Sequence, residues 1–284
     1  IAVIVARGTI VDGTQPPGTI GGDSTSNLIK EAHENKNIKA IVLRVDSGGG
    51  GVFASELIRQ ELVAAKEKGI KIIASMGNVA ASGGYWISAN ANEIWASHNT
   101  ITGSIGIFGM IPTFDRALYE IGINSDGVRT SALDLSGSLA QPLDPAFSRL
   151  MQQEIEYGYQ RFLNLVSEAR SMSTQEVDKI AQGRVWAGST ALELGLVDNL
   201  GNLEEAIKRA AELAEIDEYK TYYPSQELDW RQQLLESFST GLKSFIPEII
   251  RKNMIIKESI NTLKEIESFN DPKGLYIRCE DCLI

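Results

Sequence analysis

The chain has 284 residues, 43% hydrophobic and 23% charged, a globular composition with enough apolar material for a substantial core. Its formal net charge of −10 argues against nucleic acid as a partner, since that would require a basic face. No run of about eighteen apolar residues is present, so nothing here reads as a membrane-spanning helix.

The first stretch, IAVIVARGTI, reads as a strand. A strand core that starts at Ile1, with no methionine, leader or anchor, leads us to expect a piece of something longer. STSNLIKEAHEN has the cap and period of a short helix, and IKAIVLRV is an apolar strand ending in the turn DSGGGG. VFASELIRQELVAAKEK is an amphipathic helix, and IKIIASM is the next buried strand. This alternation predicts an α/β fold with a mostly parallel sheet covered on both faces. In such sheets function collects at the carboxyl ends of the strands, where the turns Gly48–Gly51 and Ser82–Gly84 both fall. TITGSIGIFGMI reads as a glycine-interrupted strand, followed by a helix near Phe114–Ile121 and a long one over Asp144–Arg170. STQEVDKIA, GSTALELG and NLEEAIKRAAELA read as further helices. No internal repeat is visible.

The expected organisation is an α/β domain over residues 1–215 and a mostly helical extension, for packing or assembly, over 216–284. Cys279 and Cys282 form one CxxC, two ligands short of a zinc site, so reduced thiols or a local disulfide are expected and no metal.

Ser82 sits where a strand meets a helix start, among small residues and ahead of two glycines. It can be a plain N-cap. It can also be a nucleophile, because such turns expose a side chain beside bare N–H donors. DSGGGG lacks the lysine and hydroxyl of a Walker loop and the GxGxxG spacing of a dinucleotide site, so no cofactor is expected. Close backbone approach to an extended substrate remains, and four glycines exceed what a turn needs.

AIVLRVDSGGGGVFASE, MGNVAASGGYWISANANEIWAS, TITGSIGIFG and GRVWAGSTALELGLVDNLG resemble the signal peptide peptidase A family of bacterial serine proteases. The similarity is greater to the C-terminal half of its long, tandem-repeat form, and it extends to the end, FNDPKGLYIRCEDC. The resemblance implies the Clp protease/crotonase-like superhelix of β-β-α units. It implies Ser82 as nucleophile and the N–H of Gly83, with that of Gly49 or Gly50, as oxyanion hole. Ser104 would orient a catalytic lysine, and Val52 with Ile105, Gly106 and Ile107 would flank the substrate. It further implies hydrophobic signal peptides as substrates, a homo-oligomer (a tetramer), and a bacterial inner-membrane location facing the periplasm, with the anchor outside this chain. The family usually has proline where Gly48 stands.

A serine hydroxyl needs a base. His33, on the first helix, is expected to face solvent, and His98, in WASHNT, to be a surface loop residue, which disfavours a histidine triad. A lysine with a lowered pKa is the alternative. No lysine lies between Lys71 and Lys179, the interval that holds it in single-unit family members. Thr130 stands at the matching position, and Arg129 beside it cannot deprotonate. Lys71 is expected at the far end of the sheet and Lys179 on a solvated helix. In the long form the lysine comes from the N-terminal half, so this chain reads as half an active site. The rival readings are a non-catalytic scaffold half and a crotonase-type acyl-CoA enzyme.

Overall fold

A computed structural model describes residues 1–126, 139–225, 269–279 and 282. In chain order its elements are β1 (Ala2–Arg7), β2 (Ile10–Val11), β3 (Ile20–Gly21), α1 (Gly22–Glu34), β4 (Ala40–Ser47), β5 (Gly49–Gly51), α2 (Val52–Glu67), β6 (Lys71–Ala81) and α3 (Gly83–Ser88). There follow β7 (Glu93–Ala96), β8 (Ile101–Gly103), β9 (Phe108–Gly109), α4 (Asp115–Glu120), α5 (Pro145–Arg170), α6 (Thr174–Ile180), β10 (Val185–Ala187), α7 (Gly188–Glu193), β11 (Asn199–Leu200), α8 (Leu203–Leu213) and β12 (Leu275–Arg278).

The larger sheet runs β1-β4-β6-β7-β11 with every pairing in that row parallel. Side chains alternate across a strand, and here both sides are buried. Ile4, Ile41, Leu43 and Ile72 pack on one face with α2 and α5, while Val3, Val42 and Ile73 pack on the other with Ala206, Ile207 and Ala210 of α8. Two covered faces explain why these strands are continuous apolar runs and not alternating ones. The α/β architecture is the expected one.

β6 outlasts its partner β7. Its final residues, Val79–Ala81, pair instead with β8, and β8 takes β10 on its other side. A smaller sheet runs β3-β2-β5-β12-β9 and lies at the carboxyl ends of β4 and β6. Its strand β12 is antiparallel to both β5 and β9. Residues Leu275–Arg278 of the expected extension are thus built into this sheet; the text read as helical between 226 and 268 lies outside the described residues. Asp144 caps α5, accepting from the N–H groups of Ala146 and Phe147 at 2.7 and 3.2 Å. Among the described residues no helix is long and apolar enough to cross a membrane.

Candidate active site

β6 ends at Ala81 and α3 begins at Gly83, so Ser82 makes the whole turn. It does so at φ 54° and ψ −112°, a backbone conformation that side chains rarely adopt. An N-cap residue would sit in the β region with its oxygen on an early N–H, yet Ser82 makes no such cap bond. The turn is fixed from both sides: Ser82 N–H donates to Gly103 O at 2.8 Å, and Ser82 O accepts from Trp86 N–H at 2.9 Å. Strain of this kind persists only where the surroundings over-determine it, and it collects at functional sites. A strand, a sharp strained turn and a helix is also the geometry that lifts a nucleophile clear of a sheet.

The helix behind Ser82 is held rigidly. Tyr85 is fully buried and donates its hydroxyl to Leu196 O at 2.8 Å, and burial pushes its ionisation well above the ordinary range. Trp86 packs on Phe162 at 4.7 Å between ring centres and donates from Nε1 to Glu56 Oε2 at 2.8 Å. Burial pushes the Glu56 carboxyl up, but hydrogen bonds from Arg59, Gln60 and Trp86 and the Arg59 charge outweigh it, leaving the group below its usual value.

The glycine turn comes up against this helix. Gly49 has φ +99°, and a side chain there would begin 2.6 Å from Gly83 N and 2.0 Å from Ile277 O. One on Gly83 would meet Gly49 Cα and Ile277 O at 3.0 Å each, and one on Gly50 would meet Ile10 O at 1.9 Å. Only bare backbone fits at Gly49, Gly50 and Gly83. Gly49 N–H donates to Ser47 Oγ at 3.0 Å, while Gly50 pairs with Ile10 on one side and Ile277 on the other. Gly48 is looser: a side chain there would stand 3.5 Å from Cys279 O. Cys279 and Cys282 form a disulfide that packs against Ala81, next to Ser82. A cavity of about 210 Å³ beside Gly48 and Gly49 is bordered by Asp46, Val79 and Arg278.

Ser104 comes next to Ser82 through the strands that carry them. Ala81 and Gly103 are register partners, and each serine is the residue that follows. Ser104 also has a positive φ, 49°, is buried, and donates its N–H to Arg184 O at 2.7 Å. Val52 opens α2 with its side chain buried. Ile105 is buried, its O accepts from Gly183 N–H at 3.0 Å, and Gly106 lies against Gly183. Ile107 reaches over Gly158 of α5. Phe108 and Gly109, the next residues along, pair with β12.

The candidate bases fall elsewhere. Lys71 opens β6, ten residues before its last, or about 33 Å from the Ser82 end. Lys179 is exposed in the last turn of α6. Lys273 turns to Glu154 at 3.3 Å. His98 is exposed in the loop between β7 and β8. His33 departs from expectation: it is buried, with Nε2 2.5 Å from Glu61 Oε1 and Nδ1 3.0 Å from Lys68 Nζ. The α1 face that carries it packs on α2, a tertiary contact that helix periodicity alone did not give. Thr130 and Arg129 lie outside the described residues.

The chain belongs to peptidase family S49, whose model matches residues 64–217. Protease 4 of Salmonella typhi is 45% identical over 99% of this chain and 46% of its own length. A putative signal peptide peptidase SppA of Enterococcus faecium is 35% identical over 87% of this chain and 71% of its own. A ClpP1 variant from Listeria monocytogenes is similar in structure over 72% of this chain and 94% of that one, with TM-score 0.48 and 15% identity. The chain thus spans about half the length of the long Protease 4 relatives, 46% and 47% for those of Salmonella typhi and Haemophilus influenzae.

Proposed function

We propose that this chain is the nucleophile-bearing half of a serine endopeptidase that degrades signal peptides after their release, in or at the membrane. The observation that carries the reading is the backbone of Ser82, strained at φ 54° and ψ −112° and free of any capping bond. Ser82 Oγ attacks the scissile carbonyl and passes its proton to a neutral lysine amine, and the same ammonium then protonates the leaving amine. Water, with its proton taken by the same lysine, releases the acyl group. The oxyanion rests on the N–H of Gly83 and that of Gly49 or Gly50; Gly49, whose N–H turns to Ser47 Oγ in the free chain, approaches Gly83 with no room for a side chain between them. Ser104, beside Ser82, orients the lysine. Val52, Ile105, Gly106 and Ile107 border the peptide.

The lysine comes from outside this chain. Support lies in the positions of Lys71, Lys179 and Lys273, and in relatives about twice as long. The other half of the protein is therefore the first partner, and a homo-oligomer, by resemblance a tetramer, the working form at the periplasmic face of a bacterial inner membrane. The substrate class rests on the resemblance and on the name carried by the Enterococcus faecium relative. A fluorophosphonate probe tests the reading: the full-length protein should be labelled at Ser82, and labelling elsewhere, or none in a protein that turns over peptide, contradicts it.

A further inference from the structure

β5 and β9 are not paired to one another; β12 lies between them and supplies the whole connection. Take away Leu275–Arg278 and a slot one strand wide opens between Gly49–Gly51 and Phe108–Gly109. Its two edges would then be unpaired backbone, the kind that captures an extended peptide by strand addition. The slot passes the nucleophile. The Ile277 carbonyl oxygen and the Gly83 nitrogen both come within 2.6 Å of one point, the place a Gly49 side chain would start. That carbonyl therefore stands beside the donors assigned to the scissile carbonyl.

The strand is fastened at both ends. On entry, Asp271 accepts from Leu275 N–H at 3.2 Å with one carboxylate oxygen and from Phe53 N–H at 2.9 Å with the other. On exit, Cys279 N–H donates to Gly48 O at 2.7 Å, and the disulfide loop packs on Ala81. Along the strand Leu275 and Ile277 enter the main core, while Tyr276 sits between the rings of Phe108 and Phe269, at 5.8 and 4.9 Å.

We infer that Leu275–Arg278 occupies the peptide track as a built-in pseudosubstrate, and that a substrate must displace it. The inference rests on the peptidase reading and adds to it the path, direction and preference of the bound peptide. The peptide runs antiparallel to both Gly49–Gly51 and Phe108–Gly109, with large apolar residues at alternate positions, as Leu275 and Ile277 are here. The occupant it excludes is an extended apolar peptide of the signal-peptide kind.

The test uses the full-length protein with Ser82→Ala, so that binding is read without turnover. A fluorescent leucine-rich peptide is titrated against this protein and against a form from which everything after Gly274 is removed. The shortened form should bind at least tenfold more tightly, and a free oxidised peptide of residues 275–284 should displace the probe. Equal affinities in two folded proteins would overturn the inference. So would a shortened form that unfolds and recovers both fold and probe binding when the free peptide is added, since β12 would then be a permanent wall. Should the shortened form not fold at all, Asp271→Ala in the intact chain carries the same test: several-fold tighter probe binding supports it and unchanged affinity overturns it. Turnover of the probe by both forms with Ser82 restored is scored separately. Its absence in both rejects the peptidase reading and leaves the occupancy result standing.

Discussion

Ile277 O lies 3.0 Å from the point at which a side chain on Gly83 would begin, although the two residues are almost two hundred positions apart. The strand β12 thus passes beside the turn that carries the candidate nucleophile.

Ser82 strains its backbone and gains no cap bond in return. Ser82→Ala should therefore leave stability within about 0.5 kcal/mol of the parent, as for a substitution that removes no bond. Ser82→Gly, which tolerates positive φ, should be about 1 kcal/mol more stable than Ser82→Ala. Thermal melts of the three proteins check this, and both variants should lose all fluorophosphonate labelling. A loss near 1 kcal/mol on Ser82→Ala alone would restore the capping role.

Gly49→Ala must place a methyl 2.0 Å from Ile277 O at φ +99°. It should cost about 3 kcal/mol, combining strain and overpacking, and abolish labelling of Ser82. Gly48→Ala meets only ordinary contacts, 3.5 Å at the nearest, and should cost under about 1 kcal/mol. Denaturant unfolding of the pair separates them; equal costs would mean that the close approach at Gly49 is not real.

If Ser104 acts on the base and not on bound peptide, Ser104→Ala should lower kcat about 10–100-fold with little change in KM. Steady-state kinetics of the full-length protein decide it. A rise in KM at constant kcat would make Ser104 a peptide contact.

The Glu56 carboxyl is held below its ordinary value of 4.5, so its folded form prefers the charge. A lowered folded pKa stabilises above the unfolded value and loses that contribution as pH falls through the folded one. Melting temperatures of the parent and Glu56→Gln should differ most near neutrality and converge as the pH falls below 4.5 and through the lowered folded value. A gap that persists undiminished in acid would assign the effect of Glu56 to packing.

Much of this was legible in the sequence because it rests on local chemistry. Apolar runs covered on both faces, capped helices, and glycines at strand ends announced the layers and both turns. The Ser82 turn showed itself as a serine with two glycines just after a buried strand. β12 did not: LYIR is four residues long, its partners Gly49–Gly51 and Phe108–Gly109 lie far away in the sequence, and a strand that short has no period to read. For the same reason the pairing of Phe108 and Gly109 with β12 was not foreseen. His33 was misjudged because its burial comes from the packing of α1 on α2, which no single helix encodes.

On the reading proposed above, Ser82 and its donors sit in this chain and the lysine comes from the other half of the protein. The most direct measurement is peptide turnover by residues 1–284 alone, and then with the other half of the full-length protein added in trans. Turnover by the isolated chain should be absent beyond a small residue from the oxyanion donors, and the recovery should disappear when the catalytic lysine of the added half is changed to alanine. Strong turnover by residues 1–284 alone, lost on Lys71→Ala, Lys179→Ala or His98→Ala, would contradict it.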